Sequence, residues 1–207
     1  MSDRIGVYNM ALGHLRADAI LDEDEDSTEA DALNTYWETA RKVTQSRFNW
    51  GFNRRRKALS QLAVTQGQLY AYRYQYPPDC LVMRAVVGPE DIDPFITSRR
   101  PSFGRPPVPF ETEYTATNGK TLITPLEAAQ GIYTCDLQNI ELWSEDAALA
   151  LSYMLAHLSA KKITGSDDDV KRCLQLFASS FDISTQTDAN EGTYFEEDES
   201  EYERSRY

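Results

Sequence analysis

The chain has 207 residues, 41% of them apolar, with 21 basic and 33 acidic groups for a net charge of −12. That length suits one globular domain or two small ones sharing a core, and its 8 Phe, 12 Tyr and 3 Trp exclude a mostly disordered chain. No run nears the roughly 18 consecutive apolar residues of a membrane-spanning helix, so an integral membrane protein and a membrane partner are not expected.

Residues 1–15 contain no apolar h-region before a small-residue cleavage site, so they do not read as a signal peptide. They read instead as a first helix, with Ile5, Tyr8, Leu12 and Leu15 recurring at three-to-four spacing. Residues 18–31 follow with eight acids and no base. Among them Asp22, Glu23, Asp24, Glu25 and Asp26 form an uninterrupted block. Thr28, Glu29, Ala30 and Asp31 read as a capping box that opens a second helix. Its stripe is Leu33, Tyr36, Trp37, Ala40, Val43 and Thr44, reaching Arg47 or Phe48.

Residues 41–57 then hold seven bases and no acid: Arg41, Lys42, Arg47, Arg54, Arg55, Arg56 and Lys57. Tyr70, Tyr72, Tyr74 and Tyr76 alternate with Ala71, Arg73 and Gln75, a strand pattern with one aromatic face. Pro77, Pro78 and Asp79 interrupt it, and residues 80–87 resume as a short apolar strand. Residues 88–109 carry six prolines and read as an exposed loop. Residues 110–124 predict a hairpin turning on Asn118 and Gly119, the pair that a type I′ turn favours. A strand over 132–137 follows, with Tyr133, Cys135 and Leu137 on one side.

Helix returns at Ser144, Glu145 and Asp146, a cap with acids in the first turn. Leu149, Tyr153, Ala156 and Ala160 mark its stripe, and Leu151, Leu155 and Leu158 widen it. Gly165 ends this helix and Ser166 caps the next, which runs through Val170, Cys173, Leu174, Phe177 and Phe181. Residues 188–207 hold eight acids against Arg204 and Arg206.

The pattern predicts an α+β fold, a helical bundle with an inserted antiparallel β subdomain and a flexible acidic C-terminal arm. The expected divisions are a helical pair over 1–50, the β insertion over 51–140, a second pair over 141–187 completing the bundle, and the arm over 188–207. An insertion is preferred to serial domains because each helical pair alone buries too little.

The motifs of common chemistry are weak. Gly119, Lys120 and Thr121 resemble the end of a P-loop, but Tyr114 stands where its first glycine is required. Cys80, Cys135 and Cys173 lie far apart in sequence, no C-x-x-C occurs, and the histidines are His14 and His157 alone. Neither zinc nor a disulfide framework is expected, a reducing compartment is the simpler setting, and no catalytic, metal or cofactor site is assigned. The acids cluster in loops and tail, where nothing would raise a carboxyl pKa as glycosidase chemistry demands. Arg54–Lys57 beside Trp50 and Phe52 admits a nucleic-acid patch, which the net charge opposes. Separated acidic and basic blocks favour contact between subunits, with complementary potentials setting register.

Several segments together resemble a known family. They are Ala11–Leu12–Gly13, the acidic link with Ser27 to Ala30, and Phe48–Asn49–Trp50–Gly51–Phe52 running into the basic strand to Leu59. Tyr72 to Leu81, containing Tyr72, Tyr74, Tyr76, Pro77, Pro78 and Asp79, and the helix opening at Leu142–Trp143–Ser144 complete the set. Over residues 1–185 the chain resembles the tail tubular protein A family, head-to-tail adaptors of short-tailed bacteriophages. Asn53 stands where that family usually has a small residue.

The resemblance implies a non-enzymatic virion protein, assembled in the host cytoplasm, that forms a dodecameric ring between the portal and the tail nozzle protein, with a channel for passing DNA. It implies portal contact through residues 142–164, 167–186 and the arm, with Phe181, Tyr194, Phe195, Glu196, Glu197, Tyr202 and Tyr207 as candidates. Residues 70–87 and 110–137 would face the distal tail and its fibres. The competing readings are a tail-borne cell-wall hydrolase and a DNA-binding protein using residues 41–57.

Overall fold

A computed structural model describes residues 3–64, 69–91 and 108–190, with side chains described as far as Phe181. The architecture is α+β: two helices, a block of antiparallel strands, and two more helices. The arm beyond 190 and most of the proline-rich stretch, residues 92–107, lie outside the described residues.

Helix α1 (Arg4–Leu15) starts where the Asp3 carboxylate accepts the Gly6 N–H, and stops at Arg16, whose φ of 59° is left-handed. Its buried face is Val7, Tyr8, Ala11, Leu12 and Leu15. Helix α2 (Thr28–Arg47) is capped by Ser27, whose Oγ accepts the Ala30 N–H. The cap therefore lies one residue before the expected position, Thr28 is already helical, and Ala30 in the third helical position has no polar side chain to complete a box. Val43, expected in the stripe, is exposed.

Helix α3 (Glu145–Ile163) is capped by Ser144, and Gly165, at φ 68°, turns the chain into α4 (Asp167–Asn190). There Ser166 Oγ accepts the Asp169 N–H at 3.2 Å. The core side of α3 is Ala147, Ala148, Leu151 and Leu155, while Leu149 is exposed, as is Leu174 on α4. Leu149 sits on the flank of α3, whose apolar arc is wide because three helices pack on it, and Leu174 lies beside the face that α4 buries through Cys173, Phe177 and Ser180. Helix α4 continues through residues 188–190, where the arm was expected to begin.

The strands form two antiparallel sheets. One has the order β1 (Arg54–Ala58), β7 (Gln130–Cys135), β4 (Cys80–Val87). The other has the order β2 (Gln61–Leu62), β3 (Tyr72–Gln75), β6 (Gly119–Thr124), β5 (Glu111–Thr115). β7 sits about two residues earlier than its pattern suggested. β3 excludes Tyr70, and its alternation is imperfect because Arg73 is buried beside Tyr74. Arg73 reaches Glu113 on β5 at 2.7 Å, which compensates its burial.

The hairpin also differs in its turn. Thr115 pairs with Gly119, leaving three residues, 116–118, in the connection. Gly119 has a φ of 65° whereas Asn118 is not left-handed, so this is not a type I′ turn. The Thr115 hydroxyl accepts the Asn118 N–H at 3.1 Å and supplies a local alternative.

Two apolar clusters result. One unites α1 to α4 with Trp50, Ile140 and Trp143. The other lies among the strands around Tyr74, Tyr76, Met83, Leu122 and Tyr133.

Candidate functional site

The residues singled out from sequence fall into two charged surfaces and a buried joint between the helices and the strands. The joint begins at the end of α2. A helix leaves its last four carbonyls without helical partners, and here no glycine cap follows, since Phe48 is extended. Two side chains answer instead. Trp50 Nε1–H donates to the Thr44 carbonyl at 3.2 Å. Arg84, the lone charge on β4, donates to the carbonyls of Ser46 at 2.8 Å and Phe48 at 2.7 Å, and to Thr134 Oγ1 at 2.9 Å.

Trp50 lies at the centre of a chain of aromatic rings. It stands edge-on to Phe48 at 5.0 Å and stacks on Phe52 at 5.8 Å, while Phe52 stacks on Trp143 at 5.3 Å. Phe181 packs against Trp50 at 5.9 Å and against Phe177 at 4.6 Å. Phe181 is thus half-buried in the joint. Tyr194, Phe195, Glu196, Glu197, Tyr202 and Tyr207 lie outside the described residues.

A second polar tie runs beside the first. Arg41 is 1% exposed and pairs with Asp136 after β7 and with Glu38 one turn back. It also donates to the Leu137 carbonyl at 3.2 Å, and Gln45 Oε1 accepts the Leu137 N–H at 2.9 Å. Asn53, wholly buried, donates to the same Gln45 oxygen at 3.2 Å. A small residue at that position could not make this bond.

Burial depresses Arg41, but the hydrogen bonds and charges of Asp136 and Glu38 outweigh it and raise its pKa. The hydrogen bond from Arg41 lowers Glu38. Burial pushes Asp136 up, and Arg41 outweighs it to leave the carboxyl below its usual range.

Arg41 is accordingly not part of any basic surface. Lys42 and Arg47 are exposed on α2, with Lys42 3.7 Å from Glu38. On β1, Arg54 is half-buried, whereas Arg55, Arg56 and Lys57 are exposed. Arg55 lies 3.6 Å from Asp79. Arg56 holds down the turn after β4, donating to the carbonyls of Gly88, Pro89 and Asp91 at 2.8 to 3.2 Å.

The acidic loop is tied to the other end of α2. Glu23 pairs with Arg4 at 2.5 Å, and Arg4 stacks over the rings of Tyr8 and Trp37. Asn34 Nδ2 donates to the Glu23 carbonyl at 2.7 Å. Asp22 and Glu25 accept backbone N–H groups of the loop itself, while Asp24 and Asp26 are exposed. At the tip Leu21 is 91% exposed. Between Arg4, Trp37, Glu38, Arg41 and residues 138–141 lies a cleft of about 340 Å³.

The tyrosine segment serves the β core. Tyr74 OH donates to the Leu126 carbonyl at 2.9 Å, Tyr76 OH accepts the Met83 N–H at 3.2 Å, and Tyr72 is half-buried. Pro77 is buried and Pro78 exposed, and the turn they make carries Asp79. Asp79 accepts the Tyr133 hydroxyl at 3.1 Å. Lys120 sits over the Tyr76 ring at 3.8 Å.

Cys80 and Cys135, 55 positions apart in sequence, are register partners on β4 and β7. Burial pushes the Cys80 thiol up to about 11 and raises Cys135 and Cys173 as well. None has the depressed pKa of an activated thiol. His14 Nε2 lies 3.0 Å from Ser152 Oγ and its ring stacks on Tyr153, while His157 Nδ1–H donates to the Val170 carbonyl at 2.9 Å. Both hold helices together. Among the described residues no group of three or more His, Cys, Asp or Glu side chains could hold a metal ion.

The sequence reading missed Arg84, Gln45, Asp136 and Arg4. An arginine inside the apolar run of 80–87 was the one visible signal, since a charge there requires a partner. No protein-family model matches this chain, and no curated protein matches it.

Proposed function

We propose that the chain is a structural virion protein of a short-tailed bacteriophage, a head-to-tail adaptor that assembles as a ring, twelve-membered in the family it resembles, between the portal and the tail nozzle. One geometric observation supports assembly through the charged segments. The acidic loop precedes Thr28 and the basic strand follows Arg47, at opposite ends of the 20-residue α2. At 1.5 Å per residue that helix is about 30 Å long. Charges so separated are screened from each other in physiological salt, where the Debye length is about 8 Å. They cannot neutralise one another within one chain. A neighbour related by rotation brings its loop to this chain's β1, and the same contact repeats until a ring closes.

The motif residues support a scaffold role. Trp50, Phe52 and the Tyr72–Asp79 segment are engaged in joining helices to strands and in filling the β core. A stiff body of this kind suits a part that must transmit position between two larger rings.

Light scattering on the pure protein, then on its mixture with the portal protein of the same phage, tests the reading. A ring alone, or a monomer that joins the portal in a large stable complex, is the expected result. A chain that stays monomeric in both measurements overturns it.

A further inference from the structure

Cys80 and Cys135 face each other across one rung of the β4–β7 ladder. The Asp136 N–H donates to the Asp79 carbonyl at 2.8 Å, so the adjoining rung, Asp79 with Asp136, is a hydrogen-bonded one. The Cys80 N–H turns away and donates to the Pro77 carbonyl at 3.1 Å. Rungs alternate in an antiparallel pair, so Cys80 and Cys135 form a non-hydrogen-bonded one, the kind in which opposite side chains stand closest.

Directly opposite residues point to the same face of a sheet, and both cysteines belong to the apolar cluster among the strands. Rungs of this type bring Cα atoms to about 4.5 Å, inside the roughly 4.4–6.8 Å that a disulfide spans. Cys135 is buried, while Cys80 is half-buried and open to a small reagent. In the reduced chain Cys80 hydrogen-bonds with the Tyr76 hydroxyl, and rotation about χ1 carries its sulfur from that partner toward Cys135. Cys173 lies in the helical core instead, away from both.

We infer that Cys80 and Cys135 are a modification site, which a low-molecular-weight disulfide such as oxidised glutathione converts into a cross-strand disulfide. The Cys80 thiolate attacks one glutathione sulfur, a mixed disulfide forms, and the first glutathione leaves as its thiolate. The Cys135 thiolate then attacks the Cys80 sulfur and expels the second. Both thiol protons end on the released glutathiones, so one oxidised glutathione is reduced to two thiols while the cysteine pair is oxidised. The bond would close a long loop, which constrains the unfolded chain and favours the folded one. It would also pin the rung beside Asp136, whose pairing with Arg41 ties the strands to α2. The reaction needs no partner chain and stands apart from the assembly proposed above.

Mass spectrometry of the full chain in oxidised glutathione tests this at about pH 9, where more of Cys80 is thiolate, with free thiols trapped afterwards by alkylation. The expected product is about 2 Da lighter than the reduced chain before alkylation and exceeds it about tenfold. It should then take up the alkylating reagent at Cys173 alone. Digestion should release one linked peptide pair holding Cys80 and Cys135, which a reductant separates. Cys135→Ser should stop at a glutathione adduct on Cys80, and the folded Cys80→Ser variant should leave Cys135 unmodified. Repeating the reaction during refolding from urea removes any barrier of access to the buried thiol. Absence of the internal link both in the folded chain and after refolding overturns the inference, and so does a link made to Cys173 or to a second chain.

Discussion

Trp50 and Arg84 meet at one helix end: the indole N–H takes the Thr44 carbonyl and the guanidinium takes those of Ser46 and Phe48. One donor comes from the turn that leaves α2 and the other from a strand of the β unit. The unsatisfied end of α2 is therefore the place where helices and strands are joined. A cation there also meets the negative end of the helix dipole.

Arg84→Lys should weaken that joint although it keeps the charge. A lysine has one nitrogen, whereas Arg84 uses its planar fork on Thr134 Oγ1 and two carbonyls at once. A loss of about 2 kcal/mol is expected. Urea unfolding measures it, and faster amide exchange over residues 46–53 locates it.

Two of the three buried tryptophans, Trp50 and Trp143, should respond differently to replacement by phenylalanine. Trp50→Phe strands the Thr44 carbonyl and should cost about 2 kcal/mol. Trp143 Nε1 is buried with no hydrogen-bond partner among the described residues, so Trp143→Phe removes an unmet donor and should cost less. Thermal unfolding of both variants decides, and equal losses would contradict the assigned bonds.

Stability should fall in acid through Glu38 and Asp136. Both carboxyls have lowered pKa values in the folded protein, so their contribution is fully present above the unfolded values near 4. It is lost as pH falls through the folded values. Urea midpoints at pH 7, 5 and 3 should show the loss in the natural chain and a smaller one in Arg41→Met. At pH 7 that variant should itself be about 3 kcal/mol less stable, because it leaves Asp136 without its buried partner.

Gly119→Ala should cost about 1 kcal/mol through backbone strain alone. The position has a φ of 65°, and an added Cβ would meet nothing within 4 Å. Asn118→Ala, by contrast, should be nearly neutral, as Asn118 is not left-handed. Denaturant titration of the two variants separates this turn from a type I′ turn, in which both positions would be sensitive.

Alkylation of Cys80 at pH 8 should be on the order of 100-fold slower than for an ordinary thiol, whose pKa is near 8.5. Burial holds its pKa at about 11, so the rate should keep climbing as pH rises toward that value. Mass spectrometry of the modified protein follows the reaction.

Local patterns in the sequence were sufficient for the helices, the antiparallel strands and the α+β class. Ser144 and Ser166 announced their helices because a cap is made by residues three positions apart. The strand over 80–87 was legible because its apolar run and its bounding turns are contiguous. Where the local signal was ambiguous the reading slipped by a residue, as at Ser27 and Thr28. At Asn118 and Gly119 it chose the commoner turn over the one formed.

What the chain does with its charges was decided only by tertiary structure. Arg41 and Arg55 look alike in a basic run, yet one is closed inside by Asp136, 95 positions later, and the other is exposed on β1 beside Asp79. Cys80 and Cys135 became neighbours only when β4 paired with β7. Phe181 was drawn inward by a tryptophan more than a hundred residues earlier. Sequence alone determined where the helices and strands run and most of their apolar faces, since hydration and backbone geometry act locally. Which partner each one takes depends on contacts between distant segments, and these exist only in the folded chain.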